Sequence, residues 1–139
     1  MFILDTDIAT LAFHNHHRVM QHMMQAETTP VVLSVVTRLE MLYGRIEAVR
    51  KAATGAELLR ATDRLMQTEA FLGRFAIVSI HPGVAEQFDA LRKLKKLQTM
   101  NAGDRLQAAI ALAGGATLVT RNTKDYANVP NLPLANWAA

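Results

Sequence analysis

Short runs of apolar, β-branched residues alternate along this chain with longer stretches in which apolar residues recur every three or four positions. The first pattern predicts buried strands and the second predicts helices packed by one face. Phe2-Ile3-Leu4 predicts a first strand ending at Asp5. A helix is expected from about Asp7, with Ile8, Leu11 and Ala12 on one face, until the polar His14-Asn15-His16-His17 interrupts it. A second helical piece carries Val19, Met20, Met23 and Met24. Pro30 closes that region and Val31-Val32-Leu33 predicts the second strand, with Ser34 placed to cap the next helix.

That helix has Leu39, Leu42 and Tyr43 among its apolar positions. Thr54 and Glu57 have capping-box spacing and open a further helix, along which Leu58, Leu65 and Leu72 repeat. Ala76 to Ile80 predicts a strand, and Pro82 stands where proline opens a helix. That helix is expected to reach about Gln98, with Val84, Phe88 and Leu91 inward. Asp104 is expected to start a short helix that Gly114-Gly115 terminates, before a last clear strand at Thr117 to Thr120. The tail, with Pro130, Pro133 and Trp137, predicts an ordered finish with at most an edge strand. Strands alternating with helices mean an α/β fold around a mainly parallel sheet of four or five strands. With no repeat or linker, residues 1–139 read as one domain.

Composition narrows the chemistry. The 139 residues include no cysteine, which excludes disulfides, thiolate-bound zinc and thiol catalysis. Half are hydrophobic, enough for a single core. No basic and apolar leader precedes Asp5, so a secreted route is not expected; a soluble cytoplasmic protein with no membrane association is. The charge of +3 and pI near 9.6 are compatible with a polyanionic partner without requiring one.

The acidic residues fall where such a fold places ligands, outside the carboxyl ends of the strands. Asp5 ends the first strand, Glu40 lies on the second turn of the helix after the second strand, and Asp104 opens a helix. Asn122 and Asp125 follow the last strand. Taken singly, each has an ordinary role as cap, turn or solvated side chain. Together, oxygens gathered on one edge suit a hard cation such as Mg²⁺ or Mn²⁺, and carboxylates that close repel one another without one.

The same residues carry a family resemblance. Phe2-Ile-Leu-Asp-Thr-Asp-Ile8 resembles the opening of PIN domains. Ser34 through Arg38-Leu-Glu-Met-Leu-Tyr-Gly44 resembles their second block, Gly103-Asp-Arg-Leu-Gln-Ala-Ala-Ile-Ala-Leu-Ala-Gly-Gly115 the third, and Thr117-Leu-Val-Thr-Arg-Asn-Thr-Lys-Asp-Tyr126 the fourth. Val129-Pro130 through Asn136-Trp137 looks like the closing stretch, so the likeness runs end to end. Within the family the chain is most similar to VapC-type toxins of prokaryotic toxin–antitoxin pairs. The resemblance implies a three-layer α/β domain with a central, mainly parallel sheet, and Mg²⁺- or Mn²⁺-dependent hydrolysis of single-stranded or looped RNA by a metal-activated water. It implies a homodimer, a small antitoxin whose tail fills the active-site groove, and a possible larger assembly of the two. Asp5, Glu40 and Asp104 carry over as metal ligands. The family's fourth acidic position falls on Asn122, which brings an amide in place of a charge; Asp125 is the alternative source of one. Asp7 stands where the family usually has Asn, and Arg105 where it has an apolar or small residue, open between touching RNA phosphate and pointing to solvent.

Other features read two ways. Arg92-Lys93-Leu94-Lys95-Lys96, expected on a helix, is either a solvated face or a contact for RNA or an acidic partner segment. Arg45, Arg50 and Lys51 divide the same way. The histidines at 14, 16, 17 and 22 lack the carboxylate spacing of a zinc site. Met20, Met23 and Met24 are either core or an adaptable partner groove. Asp5-Thr6-Asp7 also resembles the opening of haloacid-dehalogenase-type phosphatases, whose later Lys and acidic blocks have no counterpart here. A housekeeping RNA-processing nuclease and a non-catalytic PIN-like binding module stay open as alternatives.

Overall fold

Asp5 owes its position to the strand before it. In the computed structural model, which describes all 139 residues, β1 (Phe2–Leu4) is the middle strand of a five-stranded sheet. The strand order is β3 (Ile77–Val78), β2 (Val31–Ser34), β1, β4 (Thr117–Val119), β5 (Leu134–Ala135), and every pairing is parallel. β1 is flanked by β2 and β4, with Phe2 opposite both Val31 and Thr117 and Leu4 opposite both Leu33 and Val119. Chain order reverses at β1, so the crevice between β1 and β4 is the topological switch point.

A strand with parallel neighbours on both sides is covered on both faces and needs apolar residues of either parity. β1 meets that need: Ile3 packs into one core with Val84, Leu91, Ile110 and Leu118, and Leu4 into the other with Ile8, Val19, Leu33 and Val119. The first core lies under α5 (Pro82–Arg92) and α6 (Ala102–Ala113). The second lies under α1 (Thr6–Phe13), α2 (His17–Gln25) and the end of α4 (Gly55–Leu72). α3 (Val35–Lys51) feeds both, with Val36 in one and Met41 in the other. The result is helix, sheet, helix in three layers. The strand β3 and the edge strand β5 complete the sheet, and α7 (Thr123–Tyr126) follows β4. Trp137 then closes the second layer, edge-on to Phe2 and stacked on His22.

Several expectations shift. The α5 helix stops at Arg92, and Lys95–Leu97 forms a separate 3₁₀ turn with Leu97 buried, so the basic run does not lie on one helix face. Leu94, an apolar residue inside the run, packs toward the core and breaks the helical path. Leu39 and Tyr43 point outward, more than 60% exposed, because Val36, Thr37 and Met41 form the buried face of α3. The third strand shrinks from Ala76–Ile80 to Ile77–Val78, and α1 begins at Thr6 with Asp5 as its cap. No helix is long and apolar enough to cross a membrane.

Candidate active site

Asp5 is the best anchored of the acidic residues. It is buried, and both carboxylate oxygens accept hydrogen bonds. Oδ1 accepts from the Thr6 amide at 3.0 Å and from Gln107 Nε2 at 3.1 Å, and Oδ2 accepts from the Thr120 hydroxyl at 2.8 Å. These donors come from α1, α6 and the end of β4, so the switch point itself grips the side chain. Gln107 is the hub: its Nε2 also donates to Thr37 Oγ1 at 3.1 Å, and its Oε1 accepts from Ser34 Oγ. Thr37 in turn donates to the Leu4 carbonyl at 3.3 Å and shares a hydrogen bond with Thr6. Ser34, Thr37, Gln107 and Thr120 are all buried, forming a satisfied polar layer below the acidic edge.

Asp104 sits across from it. The helix opens one turn earlier than its sequence suggests, with Asn101 as the cap; Asn101 Oδ1 accepts from the Asp104 amide at 2.8 Å. Asn101 Nδ2 donates to Asp104 Oδ2 at 2.9 Å, so the cap residue also holds the Asp104 carboxylate, side chain to side chain. The other oxygen, Oδ1, accepts from the Tyr126 hydroxyl at 3.1 Å. Glu40 is on the exposed side of α3, beside the first turn of α6: a methyl group at Gly103 would lie 3.8 Å from Glu40 Oε1.

The charges affect one another. Burial pushes the Asp5 carboxyl above the usual aspartate range, and the nearby Asp7 adds to this, against the lowering effect of the Thr120, Thr6 and Gln107 donors. Glu40 is also raised, first by partial burial and then by the charges of Asp5 and Asp104, with the Thr6 side chain opposing. Tyr126 is raised far above an ordinary phenol, chiefly by burial and then by the same two carboxylates, so its hydroxyl keeps its proton. No cation pairs with Asp5, Glu40 or Asp104; the ion pairs of the molecule lie elsewhere.

Asp5, Glu40 and Asp104 therefore share one edge and feel each other's charge, but they do not close on one another as a ready set of three ligands. The remaining candidates lie further out. Asn122 is exposed and held by its backbone alone: its amide donates to Thr120 Oγ1 at 3.0 Å and its carbonyl accepts from the Asp125 amide at 3.0 Å. Asp125 is exposed and lines a cavity of about 370 Å³ with Asp104, Asn101, Lys96 and Lys124. Asp7 is a clip: its carboxylate accepts from the Ile8 and Arg121 amides at 2.7 and 3.1 Å and meets Arg121 Nε at 3.4 Å, tying α1 to the segment after β4. Arg105 follows neither course open to it from sequence. It is half-buried, donates to the Leu97 and Met100 carbonyls at 3.2 and 3.1 Å, and lies 5.9 Å over the Phe88 ring, holding the loop before α6. The histidines form no metal-holding group. Val19 is core, Met20 and Met23 line a cavity, and Met24 is 77% exposed.

Pattern reading passed over Gln107, Thr120 and Tyr126. For Gln107 a signal existed: it is the lone polar residue in the Leu106–Ala113 run and lies three residues after Asp104, on the same helical face.

A three-layer α/β fold with an acidic edge at its switch point defines a class of site suited to hydrolytic or metal-assisted chemistry on a ligand crossing the strand ends. The particular family follows from comparison: the PIN domain model matches residues 2–132, and the chain belongs to that family. It is 27% identical over 99% of its length to Ribonuclease VapC2 of Rickettsia felis, covering 98% of that protein. It is 22% identical over 98% of its length to the tRNA(fMet)-specific endonuclease VapC of Salmonella typhimurium, covering 97% of it. In structure it is similar to a chain of Rickettsia felis VapBC2 bound to a promoter DNA fragment, with a TM-score of 0.77, 26% identity and 98% of each chain covered. FitAcB from Neisseria gonorrhoeae gives a TM-score of 0.76 at 24% identity, covering 99% of this chain and 98% of that one.

Proposed function

We propose that this protein is a VapC-type endoribonuclease, hydrolysing RNA phosphodiester bonds at the Asp5–Glu40–Asp104 edge, and that it is the toxin half of a pair restrained by a small antitoxin in the cytoplasm. The observation that carries the reading is the acidic edge at the switch point of a PIN fold, with Asp5 fixed by buried donors. Relatives named as a ribonuclease and a tRNA(fMet)-specific endonuclease, matched over nearly their whole length, support RNA as the substrate class.

The donor set suits a hard divalent cation. Its oxygens are carboxylates, two of them raised in pKa with like charge contributing, and no lysine or arginine neutralises them. Mg²⁺ or Mn²⁺ is the proposed cofactor, held by Asp5, Asp104 and Glu40, with Asp125 and Asn122 at the outer rim. Bound there, the ion supplies positive charge toward the phosphate and makes a coordinated water more acidic. The protein's share is positional: Gln107 and Thr120 keep the Asp5 lone pairs outward, and Asn101 does the same for Asp104.

An antitoxin has a surface to use. Leu39, Leu42, Tyr43 and Ile46 line an open groove of about 540 Å³ that includes Glu40, so a segment lying on it reaches the acidic edge. Leu58, Leu59 and Met66 add exposed apolar area on α4. A homodimer is proposed alongside. The test is cleavage of a panel of single-stranded and looped RNAs with Mg²⁺ or Mn²⁺, with and without chelator. Divalent-dependent cuts support the reading; RNA bound yet uncut by wild type and Asp5→Ala alike would leave a binding module.

A further inference from the structure

Resting on that reading, the geometry points to Tyr126 as a positioning residue of the site: its hydroxyl fixes Asp104 and is the group by which α7 acts on the acidic edge. Two other side chains at α7, Asn122 at its cap and Asp125 within it, have the right chemistry, yet neither hydrogen-bonds to Asp5, Glu40 or Asp104. Asn122 is exposed and makes no side-chain hydrogen bond, and Asp125 is exposed in the cavity it shares with Asp104. Tyr126 is 1% exposed and packs in the core under α5 and α6 with Val84, Ile110 and Val129. Its ring has little freedom to move, so its hydroxyl is delivered to one place. That place is 3.1 Å from Asp104 Oδ1 and close to Asp5.

The consequence is a carboxylate held from both sides. Asn101 takes Oδ2 from the helix cap and Tyr126 takes Oδ1 from the core. Carboxylate ligands gain affinity for a metal when outer groups set their orientation before the ion arrives. Asp5 is set by three donors of its own, so the hydroxyl of Tyr126 contributes mainly to Asp104. Phe at this position would keep the ring in the core and free one oxygen of Asp104 to turn.

The experiment titrates the intact protein with Mn²⁺, read by calorimetry and by the electron-spin resonance of free Mn²⁺, for wild type, Tyr126→Phe and Asp5→Asn. Tyr126→Phe is expected to weaken Mn²⁺ binding about tenfold. Its kcat should fall while its KM for RNA is unchanged, and a thermal melt checks that it is folded. Asp5→Asn should lose tight binding. Wild-type-like Mn²⁺ affinity in Tyr126→Phe, with Asp5→Asn defective, overturns the role of Tyr126 and leaves the nuclease reading standing. Tighter binding in Tyr126→Phe overturns it too, since the hydroxyl would then compete with the ion. Mn²⁺ binding that is indifferent to Asp5→Asn, or absent from wild type, removes the metal site and this role with it.

Discussion

At the residue scale, the acidic edge stores a conflict that the fold tolerates. Asp5 and Glu40 are both raised, so the folded protein holds protons there that the unfolded chain has released. Their contribution to the stability of the metal-free protein is therefore full below the ordinary carboxylate range and is lost as pH rises through the raised values. Denaturant melts of metal-free protein between about pH 4 and pH 8 are expected to show that decline, and Glu40→Gln to flatten it. A steeper decline in the variant would contradict this. Gln107 is the opposite case, a buried group with every partner in place. Gln107→Leu takes the acceptor from the Ser34 hydroxyl, whose oxygen keeps only the Thr37 amide, and removes a donor from Asp5 and Thr37, at an expected cost of about 1–3 kcal/mol by denaturant unfolding, with lower nuclease activity.

At the element scale, strands and caps were readable because their causes are local. Phe2-Ile-Leu and Val31-Val-Leu carry their buried character in adjacent residues, and Thr54–Glu57 carries its own cap: Thr54 Oγ1 accepts from the Glu57 amide at 3.1 Å. The shared edge of Asp5, Glu40 and Asp104 was legible for a similar reason: Asp5 follows the end of β1, and Glu40 and Asp104 lie in the first two turns of α3 and α6. What was not legible depends on distant chain. Gln107 is buried because Asp5, Ser34 and Thr37 meet it from 102, 73 and 70 residues away. Arg105 turns inward because a 3₁₀ turn, invisible in the basic run, presents the Leu97 carbonyl to it and the loop that follows presents that of Met100. The start of α6 was misplaced because Asp104 looks like a cap, when it is the cap's partner. Asn101→Ala tests that hierarchy: loss of the cap should cost about 1 kcal/mol in a denaturant melt. It should also reduce cleavage, because Asp104 loses one of its two anchors. Full activity in a destabilised variant would mean that the cap serves α6 alone.

For the whole molecule, the sheet order puts the proposed catalytic edge and the proposed antitoxin surface side by side. β1 and β4 bring Asp5 and Thr120 together at the switch point, while α3 presents Glu40 upward and Leu39, Tyr43 and Ile46 outward. Periodicity revealed that α3 had apolar residues but not which face the fold would leave bare, since only packing decides that. An unpartnered strip of this kind makes association the expected state. Replacing Tyr43 and Ile46 by Glu should weaken antitoxin binding at least tenfold in a pull-down or calorimetric titration, with nuclease activity retained. Undiminished binding would place the partner elsewhere.

If the acidic edge cuts RNA, single-turnover cleavage of an RNA cut by the wild type depends on each of its three carboxylates. Asp5→Asn, Glu40→Gln and Asp104→Asn are each expected to lower the rate by at least 100-fold in Mg²⁺ or Mn²⁺, with RNA binding retained and wild-type cleavage stopped by chelator. Cleavage at the wild-type rate by all three variants would contradict the account.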